Sequence, residues 1–329
     1  MSPSSAHLTR RPIALSDAAA LSKLLNAIEV VDVFGEYYSE ADAVEQITAP
    51  VLDLERGTIG VFDGEAMVGY SSAAHKQRAE GVHRVTLSGG VHPEYRQRGL
   101  GTELLAAGIA CAKALHAIHH PGLELAVDVQ NNVRNAGALA CYRAAGMTPS
   151  RSSSHMRHPL GAAVVDTAVP EGYAIEAYTE DNDSDFFAVS NEAFLQRRGG
   201  VPQSLEQWRG LLGWQAFRPA LSFLLRGTGG DTGIGIGTGV GMLLAFSWDA
   251  DTEATGVRDL HLMRVGTRPA CRRRGVASAL LSHALRAARD AGFDRVSLDV
   301  DTDSREAVGL FERVGFTVAR TEVVYTLTP

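Results

Sequence analysis

Two stretches decide the fold: VHPEYRQRGLGTELL, Val91–Leu105, and TRPACRRRGVASALL, Thr267–Leu281. Pro93, Arg96, Arg98, Gly99, Leu104 and Leu105 recur as Pro269, Arg272, Arg274, Gly275, Leu280 and Leu281, at a constant spacing of 176 residues. What surrounds each stretch recurs too. Each is preceded by strand-like segments and followed by a long helix, an alternating strand, a second helix, a Gly-Met or Gly-aromatic pair and a final strand. A unit of this size can bury its own core, so the repeat is two copies of one fold and not a solenoid. The length agrees, since 329 residues at about 150 per domain give two domains.

The same coarse pattern reads through both copies. In the first, Ser16–Asp17 caps a helix through about Ala27, Ser39 caps a second through about Ile47, and strands Thr58–Phe62 and Met67–His75 flank an Asp63-Gly64 turn. Strand Arg84–Val91, helix Gly99–Ala117, strand Leu123–Val129 and helix Ala136–Ala145 follow. The second copy reads Asp185–Leu195, Leu205–Leu211, Leu221–Leu225, Met242–Trp248, Asp259–Val265, Gly275–Ala291, Arg295–Val300 and Ser304–Val314, with Val318–Leu327 closing its sheet. The fold class is mixed α/β, α+β-like, each copy a mixed central sheet with helices on both faces. The seam is the Ser- and Pro-bearing stretch around Ala162–Val169, itself strand-like, which places the domains at 1–165 and 166–329.

Composition excludes several classes. With 45% hydrophobic and 21% charged residues the chain is an ordinary globular protein. Its net charge of −7 gives no general attraction to nucleic acid or anionic membranes. No signal-like run and no 18-residue apolar stretch is apparent, so a cytoplasmic setting without a membrane span is expected. Cys111, Cys141 and Cys271 are far apart and no histidines stand at zinc spacing, so neither a disulfide scaffold nor a metal is expected. His155-x-x-His158 reads as a surface segment, His119-His120-Pro121-Gly122 as a turn, and Asp181–Asp185 as a capping loop. The glycine-rich Gly229–Gly241 reads as a hairpin loop, because a strand and not a helix follows it.

The repeated motif carries chemistry. Arg-x-x-Gly-x-Gly/Ala lies between a strand and a helix start, where unpaired backbone N–H groups and the helix dipole favour an anion. Small residues at Gly99, Gly101, Gly275 and Ala277 let the backbone approach it, which suits a phosphate or pyrophosphate. The plainer reading, a basic cap on a tight turn, is weakened by its occurring twice.

RQRGLG (Arg96–Gly101) and RRRGVA (Arg272–Ala277) resemble the acetyl-CoA pyrophosphate loop of the GCN5-related N-acetyltransferases. NAGALACYRAAGM (Asn135–Met147) resembles that family's Asn…Tyr-x-x-x-Gly-Phe helix, and the resemblance spans both halves of the chain. It implies a V-shaped opening between the strands ending near Val91 and Val129, with acetyl-CoA held by Val91, Arg96, Gln97, Arg98, Gly99, Leu100, Gly101, Thr102 and Asn135. Asn131 and Asn132 compete with Asn135 for the amide role. Copy two would offer Val265, Thr267, Arg272, Arg273, Arg274, Gly275, Val276, Ala277, Ser304 and Phe311. The implied reaction is direct attack by the primary amine of a small molecule on the thioester, with Tyr142 protonating the leaving thiolate. Ser304 and Phe311 depart from the pattern in copy two, which leaves its turnover in doubt. Asp259, His261, Asp299 and Asp301 flank its cleft, and Cys271 precedes its arginines. Two alternatives stay open: a non-catalytic acyl-CoA-binding protein, and a transferase of this fold using another donor such as aminoacyl-tRNA. The loops Val30–Ser39 and Arg197–Trp214 are where an acceptor would be chosen.

Overall fold

A computed structural model describes residues 7–75, 78–79, 81–161, 164–195, 202–228 and 235–329. The chain forms two compact units, one of Met1–Ser152 with Glu322–Pro329 and one of Ser153–Thr321.

Unit 1 begins with the short strand β1 (Thr9–Arg11) and helices α1 (Ala18–Asp32), α2 (Glu40–Ile47) and α3 (Leu54–Gly57). Asp17 precedes α1 and takes a two-pronged bond from Arg11 at 2.6 and 2.7 Å. Ser39 and Asp42 form a reciprocal cap on α2, which satisfies two of its free donors. Strands β2 (Thr58–Asp63), β3 (Ala66–His75) and β4 (Val82–Val91) run antiparallel in sequence order. Helix α4 (Leu100–His119) then crosses to β5 (Glu124–Asn132), which pairs parallel with β4, and α5 (Ala136–Ala144) follows. α4 buries Leu104, Leu105, Ala112 and Leu115 on one face. Gly108 lets it approach β3, since a Cβ there would stand 2.5 Å from Ser71 Oγ. By length and a mean hydropathy of 1.2 this helix could cross a membrane, contrary to the expectation that no such stretch exists. Its apolar stripe is instead packed on β3 and β4.

Unit 2 repeats the plan. Strand β6 (Thr148–Pro159) enters it from residue 153, followed by β7 (Tyr173–Ala177), α6 (Asp183–Phe194) and α7 (Leu205–Leu212). Then come β8 (Phe223–Gly227), β9 (Gly239–Phe246), α8 (Asp249–Thr255), β10 (Asp259–Thr267), α9 (Val276–Asp290), β11 (Arg295–Asp301), α10 (Arg305–Val314) and β12 (Thr317–Leu327). Every residue of β9 is buried, as a central strand covered on both faces requires.

The closing strands differ from expectation. β12 was expected to close the second sheet, yet its Glu322–Leu327 part pairs antiparallel with β5 in unit 1. The strand that pairs antiparallel with β11 in unit 2 is β6, from Ser153 to Pro159. The two strand orders are β1-β2-β3-β4-β5-β12 and β7-β8-β9-β10-β11-β6. The units therefore differ from the halves divided near residue 165. The physical reason is that the two copies end in similar alternating strands, either of which can cap a β5-like edge.

Other readings are corrected as well. His155 and His158 lie in β6 and are buried, not on a surface segment, because β11 covers that strand. Residues 164–169 form no strand. Thr167 N–H donates to Ser282 Oγ on α9, and Ser282 Oγ–H donates to Val165 O. Residues 162–163 of that segment, 229–234 of the glycine-rich loop and 197–201 of the second acceptor loop lie outside the described residues.

Candidate active site

Pairing between β4 and β5 runs from Val82↔Glu124 to Leu87↔Val129, while β4 continues to Val91 and β5 to Asn132. The strand ends part there and open a cleft of about 1080 Å³ in unit 1. The tips Ser88–Val91 and Gln130–Asn131 line it, together with the start of α4, the α5 face that carries Tyr142, and α1.

The loop before α4 is shaped for an anion. Gly99 caps the helix at φ +81° with no side-chain cap, and Gln97 also holds a left-handed φ of +61°. The first-turn N–H groups are thus left for a ligand. Arg96 does not point its charge into free space. Its Nε donates to Val91 O at 3.0 Å and its two terminal nitrogens grip Asp32 at 2.7 and 3.0 Å, so it braces the loop against β4 and α1. Val91, Arg96, Gln97, Gly99, Gly101, Thr102, Asn135 and Tyr142 all line the cleft. Leu100 is in the apolar core instead, and Arg98 lies along the Tyr95 ring with its Nη2 donating to Glu94 O.

The asparagines divide their work. Asn135 is the cap of α5, its Oδ1 accepting from Ala138 N–H at 3.1 Å while Nδ2 donates to Asp32. Asn131 Oδ1 accepts from Asn132 N–H at 2.9 Å, which fixes its amide so that Nδ2 donates to the Tyr142 hydroxyl at 3.0 Å. That hydroxyl therefore accepts from Asn131 and keeps its own proton to donate. Burial pushes the Tyr142 phenol up, against the Asn131 bond, so it stays protonated at neutral pH. Tyr142 also packs in the core, its ring 5.7 Å from that of Tyr325.

The loop Val30–Ser39 supplies Asp32, Phe34, Glu36 and Tyr38 to the cleft wall, and Glu29 and Glu322 add carboxylates. Burial pushes Glu29 up, although Phe34 and Gly35 N–H groups donate to it at 2.8 and 2.6 Å. Sequence reading missed Glu322, which reaches the cleft only because β12 closes this sheet.

Copy two has the same loop with different surroundings. Gly275 caps α9 at φ +80° and Arg273 stands at φ +65°, matching Gly99 and Gln97. Whereas a Cβ on Gly99 would meet nothing within 4 Å, one on Gly275 would stand 3.3 Å from the Pro170 ring. Arg272 donates to Ala193 O, and Val276 is buried in the core. Val265 and Thr267 lie on β10, which carries a bulge at Leu262/Arg264. Ser304 makes no side-chain cap on α10, and Phe311 is buried 5.9 Å from Phe316 with nothing to protonate a thiolate. Asp259 is paired with Arg295 at 2.6 Å. Asp299 meets His155 Nδ1 at 3.0 Å and His261 Nε2 at 3.6 Å. Burial pushes Asp299 up, but these histidines outweigh it and hold the carboxyl below its ordinary value. Cys271 is no activated thiol, since its burial pushes it up.

The Acetyltransferase (GNAT) family model matches residues 24–147 and again 176–316. The chain belongs to the GNAT acetyltransferase family. This acetyltransferase is 28% identical over 270 residues to mycothiol acetyltransferase of Streptomyces avermitilis, covering 80% of this chain and 77% of that one. It is 30% identical over 250 residues to the mycothiol acetyltransferase of Salinispora tropica, covering 72% and 71%. In fold it matches a GCN5-related N-acetyltransferase from Sphaerobacter thermophilus with a TM-score of 0.74 at 24% identity, over 97% of this chain and 95% of that one. It also matches a tandem GNAT protein from the clavulanic acid biosynthesis pathway, TM-score 0.69 at 16% identity, over 98% of each. The acetyltransferase is thus a tandem GNAT protein.

Proposed function

We propose that the unit 1 cleft transfers the acetyl group of acetyl-CoA to the primary amine of a small molecule. The pyrophosphate lies on the N–H groups around Gly99, and the pantetheine arm adds along the parted tip of β4. The amine nitrogen attacks the thioester carbonyl, and backbone N–H groups at the β4 tip hold the oxyanion of the tetrahedral intermediate. As the carbon–sulfur bond breaks, the thiolate takes the Tyr142 proton and leaves as CoA. The proton lost by the amine nitrogen balances it through solvent. The Glu29, Glu36 and Glu322 carboxylates on the cleft wall suit a cationic acceptor. The relatives' name, mycothiol acetyltransferase, puts a mycothiol-type amine on the list to try.

One observation carries this reading: the largely buried Tyr142, its hydroxyl bonded by Asn131 Nδ2, in the same cleft as the Gly99 loop. The second reading places chemistry in copy two, and the His261–Asp299–His155 group on neighbouring strands β10, β11 and β6 favours it. Thiol release from acetyl-CoA across a panel of amines tests both. Tyr142→Phe keeps the ring and should lower kcat by about 10²-fold or more, with acetyl-CoA affinity nearly intact. If Tyr142→Phe is as active as the parent and Gly275→Glu is dead, the reaction belongs to copy two.

A further inference from the structure

At the end of unit 1 away from the cleft, three elements bring histidines together. His75 closes β3, His83 is near the start of β4, and His116, His119 and His120 come from the last turn of α4 and its C-cap. Their rings are contiguous. His83 stands 4.5 Å from His120, 5.3 Å from His75 and 5.3 Å from His116, and His75 stands 4.5 Å from His119, centroid to centroid. One ring nitrogen from each of His75, His83 and His120 lies within 4.8 Å of the others. We propose that these three histidines bind a late first-row divalent transition metal ion, of which Zn²⁺ is the type.

Three observations support an ion over a chance cluster. His83 is fully buried, yet its Nε2 has no hydrogen-bond partner, and His120 Nε2 is likewise buried without one. Buried polar atoms are ordinarily satisfied, so two unsatisfied imidazole nitrogens in one cluster ask for a partner that is not protein. The other side of His83 is provided for, because its Nδ1 meets His116 Nδ1 at 3.1 Å. With His83 Nδ1–H donating to His116, Nε2 presents its lone pair inward. Metal-bound histidines are commonly held this way through their second nitrogen. Finally, the reach is right. Tetrahedral Zn–N bonds of about 2.0–2.1 Å set ligand nitrogens roughly 3.4 Å apart, a closure that side-chain rotation supplies. An all-imidazole set selects Zn²⁺, Cu²⁺, Ni²⁺ or Co²⁺ and rejects Mg²⁺ and Ca²⁺, which need oxygen ligands. The fourth position falls to water or to a neighbouring imidazole. The ion would tie β3 and β4 to the far end of α4, roughly 30 Å along that 20-residue helix from the Gly99 loop.

The test uses full-length protein without a histidine tag, stripped with chelator and titrated with Zn²⁺ by calorimetry and with Co²⁺ by visible absorption. We expect one tight ion per chain at this site, a nitrogen-ligated Co²⁺ spectrum, and a Tm raised by Zn²⁺. His120→Gln and His75→Gln should each weaken Zn²⁺ by 10²-fold or more and abolish the Tm rise. His116→Gln, which removes only the brace on His83, should cost about tenfold. Circular dichroism of the metal-free variants separates a lost ligand from a lost fold. The proposal is overturned if tight binding survives both His120→Gln and His75→Gln. It also fails if the ion is lost only in His261→Gln, which would move it to unit 2, or if folded parent protein takes up no ion.

Discussion

At the residue scale, the left-handed φ of Gly99 offers a clean test of the anion loop. Asn and Asp both tolerate that conformation and are nearly the same size, so Gly99→Asn and Gly99→Asp differ mainly in charge. The asparagine variant should keep most of the acetyl-CoA affinity of unit 1, and the aspartate variant should lose tenfold or more in a CoA titration. Equal losses would mean that backbone space, not anion binding, sets the requirement. Asn131 gives a second prediction. It touches the Tyr142 oxygen and fixes where the phenol proton points, so Asn131→Leu should lower kcat about tenfold while leaving CoA affinity alone. A change confined to KM would remove Asn131 from the proton path. The roles of the three asparagines were not legible in the sequence. Motif position pointed to Asn135, with Asn131 and Asn132 as competitors, and only the hydrogen bonds separate a helix cap from the residue that bonds the Tyr142 hydroxyl.

At the element scale, the start of α1 depends on an ion pair. Hydrogen bonding to Arg11 lowers the Asp17 carboxyl below its ordinary 3.8, against the effect of burial. A carboxylate whose pKa falls on folding stabilises the fold above its unfolded value, and that contribution fades as pH drops through the lower folded value. Thermal melts should therefore show Asp17→Asn less stable than the parent at neutral pH, with the gap narrowing below about 3.8. A gap constant down to pH 2 would leave only packing to explain it. Most elements were legible because their apolar periodicity and caps are strong, as with Ser39 and Asp42 on α2. The partners of β6 and β12 were not. Alternation shows that a strand has one face to bury, but it does not say which of two similar edges receives it. The histidine cluster escaped for a related reason: His120 is 37 residues beyond His83, and only the pairing of β3 with β4 and the crossing of α4 bring it to His75 and His83.

At the scale of the whole molecule, the interchange of last strands makes the C-terminal residues part of the N-terminal core. Tyr325 is 2% exposed and packs with Tyr142, Val127 and Val129. Tyr325→Ala should cost about 3–5 kcal/mol, by analogy with other large aromatic truncations, and should loosen unit 1 before unit 2. Hydrogen exchange would reveal the order, with early loss of protection in β5. A fragment of residues 1–147 lacks both β6 and β12 and leaves the β5 edge bare, so it should fail to melt cooperatively. Supplying residues 317–329 as a peptide should restore protection to β5, and a fragment that is native-like without it would contradict the strand assignment. The interchange also sets an order of birth. Domains on a nascent chain generally mature from the N-terminus onward as the ribosome delivers them. Here unit 2 has its last residue at Thr321, while unit 1 waits for Glu322 and beyond. The half synthesised first is the half completed last, and until translation passes residue 327 it holds an open sheet edge that a chaperone or a neighbouring nascent chain can reach.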